Sequence, residues 1–181
     1  KEVWALRDVG LTCYSGELIG IIGANGAGKT TLCRVISGLL RPDQGQAHVQ
    51  GSVSSLFFLF FGFRRDLTGR ENIYLNGLML GFKKRDLMSM MDAIIAFTEL
   101  GDFIDQPLKR YSSGMRSRLG FSIGAMLTPD ILVLDEALSA GDLSFSEKAG
   151  KKLQQLILRA KLVLIVTHNL DFVEKYCSRE L

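Results

Sequence analysis

Hydrophobic positions along the chain form short apolar runs that alternate with longer amphipathic segments. Residues 18–22 and 162–166 are apolar almost throughout and are bounded by glycine or polar residues, which predicts buried strands. In residues 29–40 and 145–159 the apolar positions recur at helical spacing instead. Because such strands and helices alternate at both ends of the chain, the pattern predicts an α/β fold around a mainly parallel sheet.

The remaining patterns add strands towards the ends of the chain and helices in the middle. Further strands are predicted over residues 3–9, 47–59 and 131–134, the second of them broken by Gly51. Between about residues 70 and 128 only helical patterns occur, which predicts an inserted helical subdomain. The helices predicted there and near the end of the chain cover residues 70–80, 85–100, 113–127 and 169–176.

Length and composition fit a single domain. The chain has 181 residues, 47% of them hydrophobic, which suits one compact α/β domain. Its longest apolar stretch, residues 56–63, is far shorter than the roughly 18–20 residues that a membrane helix needs. We therefore expect a soluble or peripheral protein. The chain opens without a signal peptide. Because it begins with Lys1 rather than an initiator Met, we also expect a fragment of a longer protein.

Charge and cysteine usage exclude some classes of function. Lys and Arg number 22 and Asp and Glu number 19, and this net charge of +3 does not predict nucleic-acid binding. The three cysteines, Cys13, Cys33 and Cys177, are far apart and form no CxxC pair. Their odd number argues against a disulfide framework and fits a reducing cytoplasm, so we expect small packing residues.

Residues 23–30 match the phosphate-binding pattern GxxxxGK[ST], between a predicted strand and a predicted helix. Glycines let backbone N–H groups approach phosphate oxygens, and the positive end of the helix dipole faces the anion. Lys29 would place its charge on the β- and γ-phosphates, and the Thr30 hydroxyl would bind Mg²⁺. The predicted ATP-binding residues of this P-loop are Gly23, Ala24, Asn25, Gly26, Ala27, Gly28, Lys29, Thr30 and Thr31.

Two further features carry candidate chemistry. Asp135 and Glu136 follow the apolar run 131–134, an ending that is common among strands and weak by itself. Together with a P-loop it predicts that Asp135 binds Mg²⁺ and that Glu136 is the general base for the attacking water. His168 follows the predicted strand 162–166, where a structural role and a contact to the γ-phosphate both stay open.

The segment before the helix predicted at 113–127 resembles the signature motif of ABC ATPases, usually written LSGGQ. Tyr111 stands at the Leu position and Ser112 at the Ser, Ser113 and Gly114 stand at the two Gly, and Met115 stands at the Gln. The resemblance implies that Ser112, Ser113, Gly114 and Met115 contact ATP bound on a facing subunit, helped by the dipole of the helix.

The other motifs follow in the order of that family and cover essentially the whole chain, residues 1–181. Thr167-His168 is similar to the switch histidine of ABC ATPases. The resemblance implies a P-loop core with a small N-terminal antiparallel β part, a head-to-tail homodimer, and hydrolysis of ATP with Mg²⁺ through Lys29, Glu136 and His168. The residues that resemble the D-loop are Ser139, Ala140, Gly141 and Asp142, with Gly141 where Leu is usual.

The amino-acid sequence of residues 67–77, 111–119 and 135–145 resembles that of the ATPases of polysaccharide exporters. That resemblance implies a peripheral subunit at the cytoplasmic face of the cell membrane. Its implied partners are a multispanning permease and a lipid-linked glycan such as O-antigen, capsule or teichoic acid. Members usually continue beyond the switch histidine, so we expect the chain to lack its C-terminal end.

Two positions depart from the family pattern. No Gln follows the predicted strand at 47–59, where the family carries its Q-loop; residues 55–63 hold five phenylalanines instead. That run suits either the core or a docking surface for the membrane subunit. Trp4 is the nearest aromatic residue for stacking on adenine, and a packing role for it stays open.

Other functions stay open as alternatives. A soluble ABC ATPase of translation or DNA repair is disfavoured because the chain has neither a second P-loop nor sustained heptads. A regulatory ATP binder is disfavoured by the intact Lys29, Asp135 and Glu136. Import rather than export also remains an alternative.

Overall fold

The computed structural model of the protein describes residues 4–56, 62–80, 82–126, 128–135 and 143–181. Its strands are β1 (Leu18–Ile21), β2 (Val53–Ser55), β3 (Ile131–Asp135), β4 (Leu162–Val166) and β5 (Arg179–Glu180). Its helices are α1 (Lys29–Ile36), α2 (Gly69–Met79), α3 (Lys84–Thr98), α4 (Ser113–Gly124), α5 (Leu143–Arg159) and α6 (Leu170–Tyr176). Two short 3-10 helices, Gly101–Asp105 and Leu108–Arg110, precede α4.

The five strands form one sheet in the order β2-β3-β4-β1-β5, and all neighbours pair in parallel. Val166, at the end of β4, pairs with Ile21 on one side and with Asp135 on the other. The carboxyl ends of β1, β3 and β4 therefore lie side by side. In open α/β sheets this edge is where ligands bind.

The chain folds as two compact units, each with its own apolar core. The first unit comprises Lys1–Phe57, Pro129–Leu138 and Leu156–Leu181, and it holds the sheet with α1 and α6. The second unit comprises Phe58–Thr128 and Ser139–Gln155, and the predicted insert of residues 70–128 lies within it.

Buried aliphatic residues of the sheet form the core of the first unit. Ile19 and Val133 are fully buried, as is Cys33 on α1, and the partly buried Cys13 packs against the same cluster. These strands are nearly continuous apolar runs because both faces of a parallel sheet are covered. All three cysteines are free thiols.

The core of the second unit is built from α2, α3 and α4 around Ile73, Leu87 and Leu119. α2 begins with a reciprocal cap, in which the Thr68 hydroxyl accepts from the backbone of Glu71 and the Glu71 carboxylate accepts from the backbone of Thr68. The side chain of Asn72 is buried without an unmet polar atom. Its Oδ1 accepts from the Arg64 N–H, and its Nδ2 donates to the carbonyls of Arg64, Leu67 and Thr68.

The α/β class, the parallel sheet and the predicted helices are confirmed, but the N-terminal strand at 3–9 is wrong over its described residues. Trp4 and Val9 are largely exposed, and Asp8 has φ 51, a left-handed conformation that interrupts an extended strand. The expected small antiparallel β part is consequently not formed by described residues 4–17, which contain no strand.

The strand predicted at 47–59 is shorter than expected over its described residues, 47–56. Within that range only Val53–Ser55 pairs, against β3, because Gly51, two residues before it, has φ 108 and turns the chain. The phenylalanines at 57–61 lie outside the described residues, so their predicted roles stay predictions. None of the helices in the described ranges has the length and apolarity that crossing a membrane requires.

Candidate nucleotide-binding site

The glycine-rich loop joins the end of β1 to the start of α1 in a conformation that needs glycine. Gly23, Gly26 and Gly28 have φ values of 152, 84 and 92. Gly28 is also the left-handed N-cap residue of α1. A Cβ on Gly28 would come within 2.5 Å of the Ala5 carbonyl oxygen and 2.7 Å of Leu6 Cδ2. The N-terminal segment therefore lies directly against the loop.

The loop suits an anion. α1 begins at Lys29 and has no acidic residue in its first turn, so its free N–H groups and its dipole favour negative charge there. The Lys29 ammonium donates to the carbonyl oxygens of Gly23 and Ala24 at 2.5 and 2.9 Å, which keeps the cation at the loop. Backbone donors without obstructing side chains and one held cation match the phosphates of a nucleotide.

A cavity of about 330 Å³ brings these residues together with the end of β4. Lys29, from the loop, and His168, from the segment after β4, both line it, so the structure joins two predictions made 139 residues apart in the sequence (168 − 29). The complete lining is Ala5, Asn25, Gly26, Gly28, Lys29, Thr30, Thr31, Val166 and His168.

The backbone around His168 is fixed by its neighbour Thr167, which is buried. The Thr167 N–H donates to the Ile21 carbonyl at 3.2 Å, across to the strand that leads into the loop. Its hydroxyl accepts from the Asn169 N–H at 3.0 Å and closes the turn around His168. Thr167 thus ties the backbone next to His168, the predicted switch histidine, to β1 on one side and to the start of α6 on the other.

The predicted carboxylates are placed only in part. Asp135 is the last residue of β3 and pairs with Val166, a lining residue of the cavity. Glu136 and the D-loop residues 139–142 lie outside the described residues, so their roles stay predictions.

Trp4 is 54% exposed, and the guanidinium carbon of Arg7 lies 5.7 Å from the centroid of its ring. The cavity is lined by Ala5, the next residue. Stacking of Trp4 on adenine stays a prediction.

The signature residues begin α4 in the second unit. Ser112 is the N-cap of α4, and its hydroxyl accepts from the Met115 N–H at 3.1 Å. Ser112 and Ser113 are exposed, and a Cβ on Gly114 would meet only the Ser112 hydroxyl oxygen, at 3.8 Å. The first turn of α4 is therefore open to a ligand.

Tyr111, which directly precedes this turn, is held by two hydrogen bonds. Its hydroxyl donates to the Phe103 carbonyl at 2.6 Å, and its own carbonyl accepts from the Arg116 guanidinium at 2.8 Å. Burial, with a smaller contribution from the charge of Asp105, raises the pKa of Tyr111 to about 12, so the hydroxyl stays protonated. Gly69 has no room for a Cβ, which would collide with this hydroxyl.

A second cavity, of about 350 Å³, opens beside the start of α4. It combines charged, apolar and signature residues within the second unit. Its lining is Glu99, Leu100, Phe103, Ser112, Gly114, Met115 and Arg118.

Sequence reasoning missed Glu99, because no motif points to it. Its carboxylate forms an ion pair of 2.7 Å with Lys148, on α5. A pairing of residues 49 positions apart gives no local signal that a single sequence could reveal.

A glycine-rich loop with a lysine, between a parallel strand and a helix and beside a strand that ends in a carboxylate residue, defines a P-loop nucleotide-binding protein. The family model described as ABC transporter matches residues 6–139, and the chain belongs to that family. This confirms the resemblance indicated by the signature.

Two curated relatives are ATP-binding proteins of export systems. The teichoic acids export ATP-binding protein TagH of Listeria innocua is 47% identical over 99% of this chain, which spans 53% of that protein. The O-antigen export system ATP-binding protein RfbB of Klebsiella pneumoniae is 43% identical over 99% of this chain and 73% of its own length. The chain thus spans about half of the first relative and about three quarters of the second.

A solved structure confirms the fold. It is a dimeric ATP-binding cassette in a post-hydrolysis state bound to ADP and Pi, with a TM-score of 0.72 and 22% identity. The match covers 93% of this chain and 82% of that one. The predicted P-loop core of an ABC ATPase is therefore confirmed.

Proposed function

We propose that this chain is the ATP-hydrolysing domain of an ABC transporter that exports a lipid-linked polysaccharide or a related cell-wall glycan. The main support for ATP hydrolysis is that Lys29 and His168 line one cavity, in a chain of the ABC transporter family. The glycan cargo is supported by the names of the relatives, which act in teichoic acid and O-antigen export.

The nucleotide phosphates would lie against the loop of residues 23–30, where backbone N–H groups and Lys29 neutralise their charge. Thr30 and Asp135 would hold Mg²⁺, which when bound would offset the negative charge of the phosphates. Glu136 would take a proton from the attacking water, whose oxygen bonds to the γ-phosphorus as the bond to the β–γ bridging oxygen breaks. His168 would donate a hydrogen bond to a γ-phosphate oxygen.

The signature supports an active site completed by a second copy. Ser112 and the free first turn of α4 point to an anion, and this chain already offers its own P-loop for the phosphates. In a head-to-tail homodimer, Ser112, Ser113, Gly114 and Met115 would contact the γ-phosphate bound on the other subunit. The D-loop at 139–142 would line the same interface.

A permease partner follows from the proposed transport. The relatives are named as the ATP-binding proteins of export systems, so the glycan itself would cross through a separate multispanning permease. The chain would then act at the cytoplasmic face of the membrane as a peripheral subunit.

The test of hydrolysis uses the full-length protein and two substitutions. Glu136→Gln should leave ATP binding intact, reduce hydrolysis to background and trap an ATP-bound dimer, because only the base is lost. Lys29→Ala should weaken ATP binding itself, since the phosphates lose their nearest cation. Glu147→Gln, on the exposed face of α5, is the matched control and should hydrolyse ATP normally. Hydrolysis by Glu136→Gln at the parent rate would refute the base assignment.

The test of transport is copurification. The full-length protein should copurify with a multispanning membrane protein, and a glycan-lipid should stimulate ATP hydrolysis of that complex. Stimulation by ribosomes or DNA without a membrane partner would contradict the exporter function and leave the ATPase standing.

A further inference from the structure

Glu99 occupies an unusual position at the wall of the second cavity. It is the left-handed C-cap residue of α3, with φ 55, where glycine or asparagine is the common choice. A non-glycine residue in this conformation costs about 1 kcal/mol or more. Glu99 lines the same cavity as Ser112. A carboxylate residue in this backbone conformation therefore needs a stabilising contact.

That contact is Lys148. Its ammonium lies 2.7 Å from the Glu99 carboxylate, 3.3 Å from the Phe97 carbonyl oxygen and 4.5 Å from the centroid of the Phe97 ring. The side chains of Lys148 and Glu99 are 36% and 44% exposed, so water only partly screens their charges. The ammonium therefore offsets the negative charge that Glu99 brings to the cavity, whose lining also includes the cationic Arg118.

The offset of the Glu99 charge matters because of the ligand that the cavity would accept. The start of α4 suits phosphate groups, and an unpaired carboxylate on the same wall would repel them. We propose that Lys148 masks the charge of Glu99, so that the cavity beside Ser112 can accept the phosphates of a nucleotide carried by a second copy of the chain. This inference rests on the head-to-tail dimer of the proposed function.

The experiment measures the ATP concentration at which half of the full-length protein is dimeric, with Glu136→Gln as the parent. Lys148→Met keeps a long, unbranched side chain at this position and removes the charge. It should raise the half-dimer concentration roughly two- to fivefold, the range expected for a partly exposed charge pair. The rise should shrink at high salt, which screens the exposed carboxylate.

The double variant Glu99→Gln/Lys148→Met separates charge masking from mechanical support. Masking predicts that it dimerises close to the parent, because no carboxylate is left to repel phosphate. If Lys148 only fixes α5 to the end of α3, the double variant stays as impaired as Lys148→Met, and the proposal is wrong.

Lys151→Met is the matched control, on the same helix and with the same change of charge. Lys151 pairs at 2.7 Å with the exposed Glu147, and neither residue lines the cavity. An equal rise in this variant would assign the effect to overall charge and overturn the proposal. Failure of the parent itself to dimerise with ATP would refute the proposed dimer, and the inference with it, before either residue is changed.

Discussion

Asp130 and Lys161 form an ion pair of 2.8 Å between Oδ1 and Nζ, across the amino-terminal ends of the neighbouring strands β3 and β4. The other carboxylate oxygen accepts from the N–H and the hydroxyl of Ser52, at 2.8 and 2.9 Å. Ser52 directly precedes β2, so one carboxylate joins the starts of three adjacent strands. This edge of the sheet is opposite the one at which the candidate nucleotide site lies.

We expect Asp130→Asn to lower the Tm at neutral pH, because its amide NH₂ would face donors where the carboxylate now accepts. The Lys161 ammonium, and then Ser52, hold the pKa of Asp130 well below its usual range. Because the folded-state pKa is lowered, the ionised carboxylate contributes its full stabilisation above the unfolded-state pKa of about 4. That stabilisation is lost as the pH falls through the folded-state pKa. The Tm gap between the two proteins should therefore narrow below about pH 4.

Thermal unfolding between pH 3 and 8 measures this gap. Asp66→Asn is the control, because Asp66 is 89% exposed and lies 3.7 Å from Lys109. An exposed ion pair of this kind is expected to contribute little to stability. A gap that stays constant with pH would exclude the ionised carboxylate as its cause.

The contact between Gly69 and Tyr111 predicts a coupled pair of substitutions. Tyr111→Phe should cost about 1 kcal/mol, because the Phe103 carbonyl loses its hydrogen bond. Gly69→Ala should cost more, since its Cβ would collide with the Tyr111 hydroxyl and lie 2.9 Å from the Ile104 carbonyl oxygen.

Denaturant unfolding of the double variant is the informative measurement. Removing the hydroxyl creates part of the space that the new methyl group needs, so the double variant should be more stable than the sum of the two changes predicts. Simple additivity would contradict a steric conflict between the new methyl group and the hydroxyl.

Much of the fold could be predicted because helices and buried strands leave periodic signals. The strand predicted at 162–166 has the observed bounds, and the helix predicted at 70–80 differs by one residue at each end. β5 gave no such signal, since the strand is only two residues long and both of its residues, Arg179 and Glu180, are charged and exposed. It exists because β1 offers a free edge, which is a tertiary effect.

The local placement of some candidate site residues could be predicted from the sequence. The loop at 23–30 joins a strand to a helix, and Ser112 caps the helix predicted after it. Their roles toward ATP stay predictions. The partners of Glu99 and Asp130 could not be predicted, because both ion pairs join segments distant in the sequence. Such contacts depend on the packed fold rather than on any spacing.

Ser112 has a structural and a proposed functional role that two substitutions separate. Ser112→Ala should cost about 1 kcal/mol, because the Met115 N–H loses its cap. Ser112→Asp keeps a good cap and favours the helix dipole, so its stability should equal or exceed that of the parent. Its charge would repel the γ-phosphate, however, and ATP-driven dimerisation should fail. Denaturation and dimerisation are measured on the same samples; dimerisation of Ser112→Asp at the parent's ATP concentration would contradict the proposed contact.

Thr167 should act on hydrolysis through His168. Thr167→Val keeps the shape but cannot accept from the Asn169 N–H, which loosens the turn around the histidine. We expect kcat to fall several-fold, with a smaller change in KM, because Lys29 and the loop, the proposed phosphate-binding groups, are unchanged. Thr167→Ser restores the acceptor and should restore kcat. Equal losses in both variants would indicate that packing rather than the hydrogen bond is responsible.

Gly28→Ala should weaken ATP binding and lower stability together. The substitution would place a non-glycine residue at φ 92, which costs about 1–3 kcal/mol of stability. The new Cβ would also approach the Ala5 carbonyl oxygen to 2.5 Å, so either the loop or the N-terminal segment must move. Gly150→Ala is the control, since Gly150 lies within α5 with nothing near its Cβ position, and it should stabilise the helix by about 0.5–1 kcal/mol. Calorimetric ATP titration and unfolding of both variants test this; unchanged ATP affinity in Gly28→Ala would show that the loop tolerates a side chain there.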